Sequence, residues 1–520
     1  MKRPIAGKLI LIALAAALLL FLADTRALQS SVWDHLGLLV DVRHQLVHEY
    51  VVEPDQQTMV EEAVRGMIRS LDDPHTTYLS EEDLPGFEKN MTGRFTGIGA
   101  MIEPFENRLR IVTPLEDSPA WKAGVLAGDV ILDIEGQTTE DMKPEQAVDL
   151  LTGEADTQVT IRVRHEMGEE QQISITRSVI EINTVRGLIR DPDQHYNYLL
   201  DDVRRIGYVR ITQFNDQTVP DVEQVLTELR DAGLRAMILD LRFDPGGLLD
   251  AAVAISDMFL EADRGIVTIK GRAVPETAHK ATENTLLPKI PIVVLANGAS
   301  ASAAEIVTGA LADNERALFV GTRTFGKGSV QTVKRLEDHQ GALKITNAYY
   351  YLPSGRNIHR HLPENEEEEL WGVDPSPGAW VAMSPTEIEQ MIRVRRERDR
   401  VQRSNGTAVD EISPEWIEQE LKDPQLAAAL RAIYGMLETG QWPQVGDSGV
   451  EELIKIQKRQ SLQRRRDLLH KSLGKIDEEL QKLTEAPSDA DADTHEGSDT
   501  AEVDTTTINS TGAAPEAPNP

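Results

Sequence analysis

Hydrophobic and polar positions change their period along the chain, and each period predicts a different kind of region. Between residues 36 and 71, apolar residues recur every three or four positions, which predicts two amphipathic helices, Leu36–Tyr50 and Thr58–Leu71. From Phe95 to Ser178, short runs of alternating apolar and polar residues are separated by glycine. This pattern predicts five short strands and one helix, Pro144–Leu151, in a small barrel-like domain.

The middle of the chain, from residue 206 to about residue 380, alternates short apolar runs with longer amphipathic segments. Such alternation predicts an α/β core with parallel strands, in which ligand sites gather where strands end and helices begin. The predicted strands are Ile206–Ile211, Ala236–Leu241, Ile292–Ala296, Leu318–Gly321 and a late β segment at Ala342–Leu352. The predicted helices are Val219–Ala232, Gly247–Phe259 and Ser302–Leu311.

Beyond residue 380 the pattern becomes helical and highly charged, with helices expected over Ile388–Val401 and Pro414–Leu437. Apolar residues then recur at heptad spacing, which predicts a coiled coil of about three heptads; its seam comprises Leu462, Leu469, Leu473, Ile476, Leu480 and Leu483. The seam would pack on a second copy of the chain, on a helical adaptor protein or on the chain's own core. Residues 484–520 carry nine acids and neither lysine nor arginine, so we expect them to be disordered.

The first residues of the chain are typical of an export signal. Lys2, Arg3 and Lys8 precede an unbroken apolar run over residues 9–23. The run is short for a spanning helix, which needs about 20 apolar residues. Cleavage after Ala27 and retention as an uncleaved anchor both stay open. We expect the protein in a bacterial periplasm, either soluble or tethered to the inner membrane by residues 9–23.

Composition narrows the chemistry that the chain can perform. The 520 residues include 54 lysines and arginines against 86 acids, a net charge of −32 that excludes a general nucleic-acid binder. Cysteine is absent, which excludes disulfides, a cysteine nucleophile, thiolate zinc sites and iron–sulfur clusters. Hydrophobic residues at 40% are enough for most of the chain to fold.

One group of motifs lies in the small β domain. Thr96-Gly97-Ile98-Gly99 opens it, and the segment from Ser118 to Ile131 follows. Together these residues resemble a PDZ domain. The resemblance implies that Thr96, Gly97, Ile98 and Gly99 form a peptide-binding turn. Glycines there let main-chain N–H groups converge on a terminal carboxylate, while the adjacent strand edge pairs with an extended peptide.

A second group of motifs lies in the α/β core. Asn297–Ile306 contains Ser302, and Lys327 follows twenty-five residues later, within Gly321–Gln331. Upstream lies Asp240–Gly247, which ends in Pro-Gly-Gly. These segments are similar to the C-terminal processing peptidases, serine peptidases of the S41 type with a Ser/Lys pair. The resemblance runs from about Leu36 to Pro375. It departs at Phe243, where the family usually has Asn or Asp.

The resemblance assigns a role to each of these residues. Ser302 would be the nucleophile and Lys327 its general base, with Gln331 orienting the amine. The oxyanion hole would comprise the main-chain N–H of Ala303 and that of either Gly246 or Gly247. The chemistry is consistent, because a hydroxyl needs a base and burial lowers the pKa of a lysine.

Other interpretations of these residues stay open at this point. Ser300 is a rival nucleophile two residues from Ser302. Gly321 to Lys327 imitates a phosphate-binding loop, although Gly328 stands where that motif needs Ser or Thr. His44 and His48 have the spacing of helical metal ligands, yet solvated histidines explain them as well. A PDZ adaptor with an inactive core, or a crotonase-type enzyme acting on acyl-CoA, are alternative functions.

The sequence therefore predicts a multidomain α/β protein with a crotonase-like protease core and a PDZ domain. The expected regions are a signal or anchor (1–27), N-terminal helices (28–93), the PDZ domain (94–180), the protease core (181–380), charged helices (381–448), a coiled coil (449–483) and an acidic tail (484–520). We expect protein substrates with accessible C-termini, an adaptor protein or a homo-oligomer as partner, and neither nucleic acid, metal nor cofactor.

Overall fold

The computed structural model describes residues 36–165, 168–191, 194–287, 289–337, 341–360, 371–401 and 412–448, together with a few positions between 459 and 476. The chain divides into two units, residues 1–450 and 451–520. Within the described residues, no helix is both long enough and apolar enough to cross a membrane. The predicted signal or anchor and the acidic tail lie outside the described residues.

The N-terminal region is helical, as the apolar period predicted. It comprises α1 (residues 36–49), α2 (Gln56–Arg69), β1 (Thr77–Leu79) and α3 (Leu84–Thr92). Asp55 caps α2 by accepting a hydrogen bond from the Thr58 N–H at 2.6 Å. None of the residues of α2 is buried; Val60 and Met67 are exposed, and Met59, Val64 and Ile68 are half-buried.

The small β domain follows, with an antiparallel sheet in the order β3-β4-β5-β7-β8 and β6 beside β5. Its elements are β2 (Arg94–Gly97), β3 (Ala100–Phe105), β4 (Arg108–Pro114), α4 (Pro119–Ala123), β5 (Val130–Ile134), β6 (Gln137–Thr138), α5 (Pro144–Leu151), β7 (Gln158–Arg164), β8 (Glu170–Thr176) and β9 (Ser178–Glu181). Alternate residues of β7, Val159, Ile161 and Val163, are fully buried. One of the five expected strands, placed at Ile98–Ile102 by its alternating apolar residues, begins later, at Ala100, because Gly99 turns the chain at φ +74°.

The α/β core contains a six-stranded sheet and three helices. Its elements are β10 (Val185–Arg186), β11 (Ile189–Arg190), β12 (Tyr196–Asn197), β13 (Leu199–Asp201), β14 (Ile206–Ile211), α6 (Thr218–Asp231), β15 (Ala236–Asp240), α7 (Leu249–Asp257), β16 (Gly265–Lys270), β17 (Thr277–Lys280), β18 (Ile292–Ala296), α8 (Ala303–Asp313), β19 (Leu318–Gly321), β20 (Ser329–Arg335) and β21 (Ala342–Tyr351). Strands β14, β15, β18 and β19 are parallel. All residues of β15 and β18 are buried, since both faces of this sheet are covered.

A second, antiparallel sheet lies on the helices of the core. Its order is β1-β21-β16-β17, with β20 paired to β21. Side chains of β16 and β21 share one apolar cluster with helices α6, α7 and α8. Because β1 pairs with β21 through Thr77 and Lys344, this sheet joins the N-terminal region to the core.

The charged C-terminal segment packs on the opposite face of the parallel sheet. It contains α9 (Pro385–Asp399), α10 (Pro414–Trp416), a π-helical turn at Ile417–Leu421 and α11 (Pro424–Thr439). Apolar residues of α11 form one cluster with Ile238 and Val293 of the sheet. The single helix expected over Pro414–Leu437 is broken, because Lys422 adopts φ +56° and Pro424 starts a new helix.

The second unit contributes only a few described positions. Residues 469–474 are helical and exposed, and Leu469, Leu473 and Ile476 are each more than half exposed. Most of the predicted heptad seam lies outside the described residues, so the coiled coil stays a prediction.

Candidate active site

Ser302 lies where the chain turns from β18 into α8, at the carboxyl ends of the parallel strands. Its backbone has φ +57° and ψ −115°, a conformation that costs a residue with a side chain about 1–3 kcal/mol. Such strain persists only where the surroundings impose it, and it recurs at functional sites. The N-terminal N–H groups of α8 also point away from the helix at this place.

The rival serine has a different environment. Ser300 is fully buried, its hydroxyl donates to the Leu241 carbonyl at 2.8 Å, and it accepts from the Asn297 N–H at 2.9 Å. The first bond fastens the turn to the end of the neighbouring strand β15, and the second holds the turn itself together. The Ser300 side chain is thus occupied structurally, whereas Ser302 is partly exposed.

Two buried groups join the main chains of Ser302 and Lys327. One oxygen of the Glu305 carboxylate, Oε2, accepts from the Ser302 N–H and from the Lys327 N–H, each at 2.8 Å. The Tyr350 hydroxyl lies 2.6 Å from the Lys327 carbonyl oxygen and 3.2 Å from that of Ser302. The structure therefore brings the predicted nucleophile and the segment of the predicted base together.

The electrostatic surroundings of Lys327 favour its neutral form. Burial lowers the pKa of its ammonium most, and the nearby positive charge of Lys344 lowers it further. Glu305 and Asp73 act in the opposite direction, but the net shift of the pKa is downward. Asp73 comes from the Asp-Pro-His segment before β1, where its carboxylate accepts from the His75 N–H at 2.9 Å.

Gln331 lies on β20 opposite Thr346 of β21. Its amide nitrogen donates to the hydroxyls of Ser329 and Thr346, at 3.0 and 3.2 Å. Both bonds occupy the nitrogen, so the amide oxygen is the atom with which Gln331 would contact an amine. The expectation that Gln331 orients Lys327 stays a prediction.

The two glycines of the Pro-Gly-Gly segment differ in their bonds. The Gly246 N–H donates to the Asp244 carboxylate at 2.7 Å, whereas Gly247 is exposed. Gly246 also packs so closely on the serine turn that an added Cβ would lie 2.8 Å from the Ala303 nitrogen. Of the alternatives for the oxyanion hole, this geometry favours Ala303 with Gly247, and Gly246 provides the close contact.

In the small β domain, the predicted peptide-binding residues are arranged mainly through their backbone. Thr96 and Gly97 end β2, and Gly97 packs on Thr152 at the end of α5. The Ile98 side chain is buried in the domain core and cannot contact a peptide. Beside this turn, β3 is an edge strand next to α5, which leaves a groove for an added strand.

Sequence reasoning missed Glu305, Tyr350 and Asp244. Glu305 had a local signal, because Ser-x-x-Glu at a helix start is the pattern of a capping box. Tyr350 has no local sequence pattern that marks it, since only the pairing of β20 with β21 brings it close to the serine turn. Asp244 is fully buried, and burial raises the pKa of its carboxyl well above the ordinary range.

One cluster of described residues could offer ligand atoms to a metal, namely Glu116, Asp117 and His195, whose atoms lie within 4.8 Å of one another. Glu116 already accepts from Arg190 at 2.8 Å, so the group is accounted for as an ion-pair cluster between the small β domain and the β11–β12 hairpin. His48 of the predicted histidine pair contacts the His44 carbonyl oxygen through its Nδ1 at 2.8 Å.

Comparison with known protein families agrees with this architecture. The model of peptidase family S41 matches residues 205–375, and that of the PDZ domain matches residues 110–165. The model of the N-terminal domain of the activating protease CtpB matches residues 24–83. The predicted α/β peptidase core, PDZ domain and helical ends are thereby confirmed.

Individual relatives point the same way. The chain is 36% identical over 433 residues to the carboxy-terminal-processing protease of Bartonella bacilliformis, covering 80% of this chain and 92% of that protein. It is 33% identical over 316 residues to the carboxy-terminal processing protease CtpA of Bacillus subtilis, covering 61% of this chain and 65% of that protein. Among solved structures, a photosystem II D1 C-terminal processing protease matches with 30% identity and a TM-score of 0.38, covering 69% of this chain and 92% of that one. The chain thus belongs to the carboxy-terminal-processing proteases, serine peptidases of family S41.

Proposed function

We propose that the protein is an exported endopeptidase that cleaves proteins at or near their C-termini through a Ser302/Lys327 pair. One observation carries the assignment. The strained serine at the start of α8 shares a buried carboxylate oxygen with the Lys327 main chain. Ser300, by contrast, is used up in structural hydrogen bonds.

In the first half of the reaction, Ser302 Oγ attacks the carbonyl carbon of the scissile peptide bond while the neutral Lys327 amine takes the hydroxyl proton. The main-chain N–H groups of Ala303 and Gly247 stabilise the oxyanion, and each such donor contributes about 10²–10³ in rate. Collapse of the tetrahedral intermediate breaks the C–N bond. The Lys327 ammonium then donates its proton to the leaving amine.

In the second half, water attacks the ester carbon of the acyl-enzyme and Lys327 again accepts a proton. The second intermediate collapses, the ester C–O bond breaks and Ser302 recovers its hydroxyl proton from Lys327. Lys327 must therefore be neutral at the start of each half, which its burial and the charge of Lys344 favour. The amide oxygen of Gln331 would hold the amine in place.

The small β domain would bind the C-terminal segment of the substrate as an added strand beside β3. The exposed side chains of Met101 on β3 and Val148 on α5 supply apolar contacts on either side of that groove. The same domain would act either by capturing substrate tails or by gating access to Ser302. Each role couples the groove to the rate of cleavage of long substrates.

We further propose that the protein works in a bacterial periplasm, free or tethered by residues 9–23, and associates with a second copy or with an adaptor protein. The N-terminal helices support association, since they expose many large apolar side chains, namely Leu38, Leu39, Val40, Val42, Leu46, Val60 and Met67. The heptad seam within residues 449–483 would add a second contact.

The assignment of Ser302 is tested with paired alanine variants on a casein-like substrate. Ser302→Ala should abolish hydrolysis without lowering the melting temperature. Ser300→Ala should still hydrolyse the substrate but should have a lower melting temperature, because the change removes two buried hydrogen bonds. Hydrolysis by the Ser302 variant, together with its loss in a folded Ser300 variant, would show that the nucleophile is misassigned.

A further inference from the structure

Glu305 has an environment that is unusual for a buried acid. It lies in the first turn of α8 with its side chain fully buried, yet no lysine or arginine forms an ion pair with it among the described residues. Four hydrogen-bond donors surround it instead. Oε1 accepts from the Thr324 hydroxyl at 2.5 Å and from the Gly326 N–H at 2.7 Å, while Oε2 accepts from the N–H groups of Ser302 and Lys327.

This arrangement favours the ionised carboxylate. All four partners donate, so a proton on either carboxyl oxygen would face another donor and displace one of the bonds. Burial raises the pKa of Glu305 and the net shift is upward, although the hydrogen bonds from Thr324, Gly326, Lys327 and Ser302 oppose it. The ionised form is favoured by the geometry alone, because every partner of the carboxylate is a donor. A charge with four short bonds is costly to move, which makes Glu305 a rigid point in the site.

The four donors belong to two segments that are distant in sequence. Ser302 carries the nucleophile, and residues 324–327 carry the base. If either segment shifted, at least one buried hydrogen bond to the carboxylate would break. The strained backbone of Ser302 is also fixed here, because its N–H is directed at Oε2 while its carbonyl oxygen faces Tyr350.

We propose that Glu305 is a positioning residue of the peptidase, whose carboxylate holds the nucleophile turn and the Lys327 segment in one fixed arrangement. The inference rests on the proposed Ser302/Lys327 pair. It adds a second consequence: the negative charge of Glu305 stabilises the ammonium form of Lys327 and so sets the pH at which the base becomes available. Lys344, Asp73 and the neutral Tyr350 hydroxyl complete the groups around this segment.

Three variants of the full chain separate positioning from charge. Glu305→Gln removes the charge and turns an NH₂ group toward two donors. Glu305→Asp keeps the charge but shortens the side chain by one methylene. Thr308→Val is the matched control, since Thr308 is buried in the same helix and, among the described residues, its hydroxyl bonds only to the Ala304 carbonyl, at 2.8 Å.

The experiment measures kcat and KM on a fluorogenic peptide across the pH range, with a melting curve for each variant. Glu305→Gln should lower kcat roughly ten- to hundredfold with little change in KM, because a displacement of about 1 Å costs as much. Activity rises with pH as Lys327 loses its proton. Removing a nearby negative charge lowers the pKa of Lys327, so the rising limb should move to lower pH in Glu305→Gln.

The other variants give the outcomes that decide the question. Glu305→Asp should lower kcat but leave the rising limb in place, and Thr308→Val should change neither. The inference is overturned if Glu305→Gln keeps the wild-type kcat and the wild-type position of the rising limb of the pH profile. It is also overturned if Thr308→Val loses as much kcat as Glu305→Gln does. If Glu305→Gln fails to fold, Glu305→Asp decides, and a wild-type kcat there overturns it. Hydrolysis by Ser302→Ala or Lys327→Ala would refute the catalytic pair instead, whatever Glu305 does.

Discussion

Asp423 should contribute more to stability than almost any other charged residue of the core. It lies at the start of α11 and is 3% exposed, and it accepts from Arg242 at 2.7 and 2.8 Å. Arg242 also bonds Asp240, and Arg395 bonds both acids, so two positive and two negative charges balance inside the protein. Asp423→Asn keeps the shape but leaves one buried positive charge uncompensated.

Breaking such a buried pair costs about 3–5 kcal/mol, a large part of the 5–15 kcal/mol that holds a typical domain together. Urea denaturation followed by tryptophan fluorescence measures the loss, because Trp416 and Trp442 pack in the cluster around α11. Asp231→Asn is the control, since its ion pair with Arg230 is exposed and worth at most about 1 kcal/mol.

A double variant tests the reasoning itself. Arg395→Met combined with Asp423→Asn restores the balance of charge, so it should be less destabilised than the sum of the two single variants. If Asp423→Asn unfolds at the same urea concentration as the unaltered protein, or if the two changes simply add, charge balance is not what holds α11 to the core.

Further outcomes follow from other described residues. Although burial raises the pKa of Asp423, the charges of Arg242 and Arg395 hold it below its ordinary value. The stabilisation from this carboxylate is therefore present above about pH 4 and is lost as the pH falls. The melting temperature should accordingly fall more steeply in acid for the unaltered protein than for Asp423→Asn. Phe243 adopts φ +63°, which Asn tolerates better, so Phe243→Asn should raise the free energy of unfolding by about 1 kcal/mol in urea titrations. Met101→Asp should slow the cleavage of long substrates and leave the cleavage of short ones unchanged. If the variant cleaves both kinds of substrate at the rates of the unaltered protein, substrate capture beside β3 is refuted. A chain ending at residue 448 should keep hydrolysis and show reduced assembly by light scattering, whereas one ending at residue 384 should not fold.

The strands of the parallel sheet were predictable because both of their faces are buried. Ile292–Ala296 appears in the sequence as an unbroken apolar run and Ile206–Ile211 as an apolar run interrupted by Arg210, and the structure has strands with the same bounds. By contrast, β20 (Ser329–Arg335) is mostly polar and exposed at one end, so its sequence carries no strand period. Only the pairing of this segment with β21 identifies it as a strand.

The candidate site was predictable where it rests on a motif and not where it rests on tertiary contacts. Ser302 and Lys327 lie in recognisable segments. Tyr350 does not, because only the pairing of β20 with β21 brings its hydroxyl to the carbonyl oxygens of Ser302 and Lys327. The choice between Gly246 and Gly247 likewise required the position of the Asp244 carboxylate, which no local pattern reveals.

The position of α11 also bears on when the protein can fold as it is made. The side chains on one face of the parallel sheet, Ile238 and Val293 among them, are covered by residues 424–439. A chain that emerges N-terminus first has therefore built both segments of the proposed catalytic pair long before that face can be covered. Until α11 arrives, the sheet lacks one of its layers and Arg242 lacks Asp423. The geometry of the site thus depends on a layer supplied by residues 424–439, so we expect proteolysis to begin only after that segment has been made.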